Sequence, residues 1–155
     1  MDPRFMREAI RLSIEGVERN QGGPFGAVVV RGDDIVGRGW NCVTSANDPT
    51  AHAEIQAIRD ACAKLGTFHL DGCTVYASCE PCPMCLAALY WSRVDAVFYA
   101  ADRSDAARAG FDDALIYGEI PRPPAERSLV MQQAMRTDAL PAFAIWKAKA
   151  DKTPY

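Results

Sequence analysis

His52-Ala53-Glu54 and, further along, Pro81-Cys82-Pro83-Met84-Cys85 set one imidazole, two thiols and one carboxyl in two short motifs. His52, Cys82 and Cys85 are a donor set for zinc. Three protein ligands leave one tetrahedral position for water, as in catalytic sites, whereas a structural site closes all four. Zinc lowers the pKa of bound water from about 15.7 to roughly 7. Two thiolates cancel the formal charge of Zn2+ and soften it as a Lewis acid, so a proton acceptor beside the water is needed, and Glu54 fits that role. A positioned carboxylate that takes the water proton and hands it to a leaving group contributes about 10²- to 10⁴-fold in rate.

The spacing bears on how such a site is built. Cysteines three apart fall on one side of the first turn of a helix, and Pro81 suits the first helical position. Asp48-Pro49 repeats that start signal upstream, with Asp48 expected as N-cap and His52 in the opening turn. Both ligand sets are therefore expected at helix starts, where partial positive charge favours thiolate over thiol. Glu54, two residues past His52, lies about 200° around an ideal helix, so both side chains reach one metal only if it sits ahead of the N-terminus. Cys-x-x-Cys by itself also fits a redox pair or half of a structural zinc ribbon, and Cys79 offers a fourth ligand. A ribbon would want a second Cys-x-x-Cys, and the remaining Cys42, Cys62 and Cys73 are scattered.

The elements around these motifs alternate. Asp2-Pro3 opens a helix whose Met6, Ile10, Ile14 and Val17 predict one buried face, ending near Asn20 and Gly22-Gly23. Phe25 to Arg31 and Ile35 to Trp40 flank Gly32-Asp33-Asp34 as a hairpin. A helix from Pro49 to Leu65 stops at Gly66. Thr74 to Ser78 reads as a buried strand feeding a helix from Pro81 to Ser92, and Val94 to Ala100 as the next strand, the recipe for parallel pairing under helices. A polar segment from Asp102, a short helix around Asp112 to Tyr117, an edge strand at Leu129 to Gln133 and a helix from about Pro141 to Ala150 complete the expectation. Trp91 and Trp146 are expected as packing residues.

The 155 residues suit one domain. Hydrophobic residues make up 49% and charged residues 24%, ordinary globular usage. A formal charge of −3 argues against a nucleic-acid footprint, which would show a basic patch, and favours a small substrate. There is neither a secretory h-region at the start nor an apolar run of about 18 residues, so the expectation is a soluble cytoplasmic protein with reduced thiols and no membrane contact.

His-x-Glu with a later Pro-Cys-x-x-Cys is the signature of zinc nucleobase deaminases. Together with Gly22-Gly23-Pro24-Phe25-Gly26-Ala27-Val28, Asn47-Asp48-Pro49-Thr50-Ala51, Ser78-Cys79-Glu80, Tyr90-Trp91, Ala109-Gly110-Phe111-Asp112-Asp113 and the final Tyr155, it resembles the bacterial guanine deaminases of the cytidine deaminase superfamily along nearly the whole chain. The resemblance implies a three-layer α/β/α fold with a mixed five-stranded sheet, and hydrolysis of guanine at C2 to xanthine and ammonia with Zn2+ as cofactor and Glu54 as proton shuttle. It also implies a homodimer with exchanged C-terminal segments, about residues 138–155. Phe25, Asn41 and the Ala53 amide would hold the purine, Asp113 would assist recognition and proton transfer, and Tyr155 would enter the partner's site. Read from the residues alone, Asn41 is equally a turn former, Phe25 a core aromatic, Asp112 or Asp113 a helix cap and Tyr155 a frayed end. Competing activities are deamination of tRNA adenosine, of another small base or nucleoside, or of an aminated triazine such as ammeline. A non-catalytic zinc-stabilised module is the competitor outside enzymes.

Overall fold

A computed structural model describes residues 1–154. The chain divides into two units, Met1–Asp113 and a second that begins at Ala114.

In the first unit β1 (Gly26–Arg31) and β2 (Asp34–Trp40) form the expected hairpin, and a single helical turn, α2 (Val43–Ala46), follows it. β1 also pairs antiparallel with β3 (Cys73–Cys79), and β3 pairs parallel with β4 (Ala96–Ala101), giving the order β2-β1-β3-β4. The helix between the parallel strands is α4 (Pro83–Ser92). Alternate residues of β1 enter opposite cores. Ala27 and Val29 pack with Ala53, Ala57 and Ala61 of α3 (Ala53–Leu65) and Leu89 of α4; Val28 and Val30 pack with Phe5, Ala9 and Leu12 of α1 (Pro3–Glu18). Helices thus cover both faces of a mixed sheet, the expected α/β/α layering, and a strand covered on both sides is apolar throughout instead of alternating.

Three expectations change. Among the described residues the sheet has four strands, not five, because Leu129–Gln133 forms no ladder. An apolar stretch becomes a strand only where a neighbour offers its backbone groups, and none does so there. The buried stripe of α1 is Phe5, Ala9, Leu12 and Gly16, while Ile14 on the stripe favoured by the sequence is 55% exposed. Close approach decides this: a Cβ on Gly26 would lie 2.3 Å from the Ala9 carbonyl oxygen, so α1 meets the sheet through its small residues. Trp91 is 69% exposed and so lies at the surface instead of in the core.

Sites in sheets with parallel strands form beyond the strands' carboxyl ends. β3 runs there directly into Glu80–Cys85, and β4 runs into a short helix, α5 (Arg103–Arg108). On the other side α3 is pressed against β2 so closely that a Cβ on Gly39 would lie 2.2 Å from the Ala53 carbonyl oxygen. That contact fixes the height at which α3 begins.

The second unit contains α6 (Ala114–Glu119), a 3-10 turn at Pro124–Glu126 and α7 (Arg136–Ala148). α7 starts ahead of the expected Pro141, which falls inside it. The Arg127 guanidinium donates to the carbonyls of Arg122 and Ile120, each at 3.0 Å, and so closes the loop after α6. No described residue of this unit is buried, and Leu115, Leu129, Val130, Phe143 and Ile145 are each at least 69% exposed. Among the described residues no helix is long and apolar enough to cross a membrane.

Candidate active site

His52 and Cys82 are the N-cap residues of α3 and α4, and neither side chain caps its helix. The expected starts at Pro49 and Pro81 are therefore displaced toward the C-terminus. Proline disfavours the helical region for the residue before it, so Cys82, preceding Pro83, is held extended at φ −64° and ψ 168°. Pro83 takes the first helical position and Cys85 the third. Asp48 caps a tight turn instead of a helix, accepting from the Thr50 N–H at 2.8 Å and the Thr50 hydroxyl at 2.7 Å. With their caps unmade, the imidazole and the first thiol both project ahead of the helix starts.

There they meet. His52 Nδ1 is 3.5 Å from Cys82 Sγ and 3.5 Å from Cys85 Sγ. Zinc held at about 2.0–2.1 Å from nitrogen and about 2.3 Å from sulfur in a tetrahedron separates those donors by roughly 3.6 Å, so the residues fit the ion. Among the described residues these three form the group able to hold a metal, all donor atoms lying within 4.8 Å of one another. Cys79 is not part of it. Its thiol donates to the Asp102 carbonyl at 3.6 Å, and burial pushes it up to about 11. The fourth-ligand reading therefore finds no support.

The electrostatics favour a bound cation. The Cys85 thiol donates to Cys82, which together with His52 holds Cys82 down to about 4; Cys85, keeping the shared proton, is raised. His52 is raised chiefly by its hydrogen bond to Cys82. Glu54, 7% exposed, is raised by burial and hydrogen-bonds with the Cys85 thiol and its own backbone N–H. The carboxyl is thus beside the ligands without belonging to the metal-holding group. The N–H of Ala53, first in α3, has no intrahelical acceptor available to it.

Of the other candidates, Asn41 is buried, and its side-chain oxygen accepts from Gly23 N–H at 3.1 Å and Val43 N–H at 3.2 Å. Gly22 makes room for it, since a Cβ there would lie 2.3 Å from that oxygen. The ring of Phe25 meets Phe111 edge-on at 5.0 Å. Asp113 is raised by burial and then by the nearby Cys82 charge. Phe111, read from the sequence only as a motif letter, is thus the partner of Phe25. Tyr155 lies outside the described residues.

Residues 1–101 match the family model for the cytidine and deoxycytidylate deaminase zinc-binding region. The chain is 53% identical to guanine deaminase of Bacillus subtilis (strain 168) over 97% of each. The X-ray structure of guanine deaminase from Bacillus subtilis superposes with a TM-score of 0.97 at 52% identity, covering 100% of this chain and 99% of that one. A tRNA-specific adenosine deaminase of Aquifex aeolicus is 40% identical over 63% of this chain and 64% of its own length.

Proposed function

The chain belongs to the cytidine and deoxycytidylate deaminase family, and from that premise we propose that its site hydrolyses guanine at C2, releasing ammonia and leaving xanthine. The observation that carries the chemistry is the convergence of His52, Cys82 and Cys85 on one point with Glu54 buried against them. His52, Cys82 and Cys85 would hold Zn2+, which would make a water acidic enough to lose its proton near neutral pH. Glu54 accepts that proton and returns it to the departing exocyclic nitrogen, so one water enters and one ammonia leaves. The Ala53 N–H and the Asn41 amide hold the purine by hydrogen bonds, and Phe25 with Phe111 forms an aromatic wall against it. Asp113 assists recognition and proton transfer.

The likeness to the Bacillus subtilis enzyme over nearly the full length favours guanine over tRNA adenosine, for which the relative covers a smaller share of the chain. The formal charge of −3 agrees. The test is ammonia release across guanine, adenine, cytosine, their nucleosides, ammeline and a tRNA anticodon stem. Turnover of guanine well above the others supports the reading, and preferred turnover of any other member replaces it.

A homodimer that exchanges residues of about 138–155, with Tyr155 completing the partner's site, follows from the same reading. The second unit supports it by burying none of its described apolar residues by itself. Sedimentation at micromolar concentration tests the dimer. The cytoplasm, which keeps thiols reduced, is the compartment suited to this donor set.

A further inference from the structure

We infer that Glu80 is a positioning residue that ties the metal-ligand turn to the wall against which the substrate lies. The inference rests on the purine-binding reading above for its kinetic consequence, but its structural part stands on contacts. Glu80 follows Cys79 at the end of β3, where Cys79 registers beside Ala101 of β4, and its N–H donates to the Ala101 carbonyl at 2.8 Å. Its carboxylate accepts the backbone N–H of Arg103 at 3.1 Å. That donor opens α5 and is one of the N–H groups a helix cannot satisfy from within. The rest of the α5 start is capped locally, Asp102 and Asp105 each accepting the other's N–H, at 2.9 and 3.0 Å. Glu80 is therefore the side chain that carries the ligand turn's position into α5, beside the Cys79 thiol on the Asp102 carbonyl at 3.6 Å.

α5 passes that position on. The Phe111 N–H donates back to the Ala106 carbonyl at 3.0 Å, so the Phe111 ring moves with the helix. That ring rests edge-on against Phe25, and the fit is tight: a Cβ on Gly23 would lie 3.1 Å from both rings. Asp113 follows two residues on, within electrostatic reach of both Cys82 and Arg103. The connection thus runs from Glu80 through Arg103 N–H and Ala106 to Phe111 and Asp113.

Glu80→Ala removes the acceptor, and Glu80→Gln keeps one. In zinc-loaded protein we expect Glu80→Ala to retain its metal, to raise KM for guanine about tenfold with a smaller fall in kcat, and to speed amide hydrogen exchange at Arg103 and Phe111 about tenfold; Glu80→Gln restores all three. Arg103→Pro deletes the donor where proline is tolerated, because Arg103 is the first helical residue and Asp102 before it is extended at ψ 172°. In that background Glu80→Ala should add nothing. Unchanged exchange and unchanged KM in Glu80→Ala, equal damage from Glu80→Gln, or full additivity with Arg103→Pro would each overturn the inference. If no variant or wild type releases ammonia from guanine, the substrate reading fails, and exchange at Arg103 and Phe111 still decides the positioning.

Discussion

Replacing Asn41 tests two roles that meet in one buried amide, and two replacements pull them apart. The side-chain oxygen accepts from the N–H groups of Gly23 and Val43, while the Asn41 N–H donates to the Phe25 carbonyl at 3.0 Å. With the oxygen committed to two backbone donors, the amide nitrogen is fixed as the group left for a ligand. Asn41→Ala strands both donors. An unsatisfied buried donor costs about 1–3 kcal/mol, and these are only part-buried, so the pair should cost about 2–4 kcal/mol. For a chain of this size that lowers Tm by roughly 4–16 °C. Asn41→Asp still accepts both N–H groups and should cost less than half as much. It has no amide donor, however, so kcat/KM for guanine should fall by at least about tenfold. Thermal unfolding of zinc-loaded protein and initial rates of ammonia release read the two effects. Asn41→Ala melting with wild type would show that the bonds do not anchor the turn, and fully active Asn41→Asp would show that the amide nitrogen is not used.

Glu54→Gln should keep zinc and fold but lose about 10²- to 10⁴-fold in kcat; equal turnover would remove Glu54 from proton transfer. Cys82→Ala should lose metal and activity together, whereas Cys79→Ser should keep stoichiometric zinc by metal analysis. A zinc-free Cys79→Ser protein would contradict the three-ligand site. Glu8 gives a pH dependence remote from the metal. Hydrogen bonds from Arg11 at 2.8 Å, followed by Arg38 at 3.0 Å, hold its carboxyl down to about 2 from an ordinary 4.5. Since the folded value is the lower one, the stabilisation is complete above pH 4.5 and is lost as pH falls through about 2. Glu8→Gln should therefore lower the urea midpoint near neutral pH, by an amount that shrinks on acidification. A gap constant down to about pH 3 would sink the assignment.

The group able to hold a metal could be read from the sequence because the constraint is local: one His-x-Glu and one Cys-x-x-Cys supply donors whose convergence needs only two helix starts. The exact starts could not, because proline acts on the residue before it. Pro83 makes Cys82 an N-cap, and Asp48 spends its carboxylate on Thr50. The buried stripe of α1 departs from the apolar periodicity for a different reason. Hydrophobic periodicity favours the larger Ile10, Ile14 and Val17, but the helix approaches the sheet where Ala9 and Gly16 leave room, and approach distance is not written in any single segment. The missing fifth strand is the same lesson in the sheet, since Leu129–Gln133 has strand composition and finds no ladder partner among the described residues. Glu80 and the Phe25–Phe111 pair depend on β3 and β4 ending side by side, which only the parallel register reveals.

The placement of the ligands also bears on stability. A helix normally gains about 1 kcal/mol from an Asn, Asp, Ser or Thr at its N-cap, and α1 and α5 have such caps in Asp2 and Asp102. α3 and α4 have His52 and Cys82 there, with no side-chain cap bond. Those two helix starts are joined to each other by the Cys82–Cys85–His52 hydrogen bonds, and α3 is packed on β2. A metal bound by the same three side chains ties α3 to α4 at the points where both lack caps. Its binding is therefore coupled to local order as well as to chemistry, because any free energy of binding to the folded state alone adds to stability. The sequence has given up two ordinary caps to place an imidazole and a thiolate ahead of two helices, and Glu54, one residue into α3, is oriented by the same compromise.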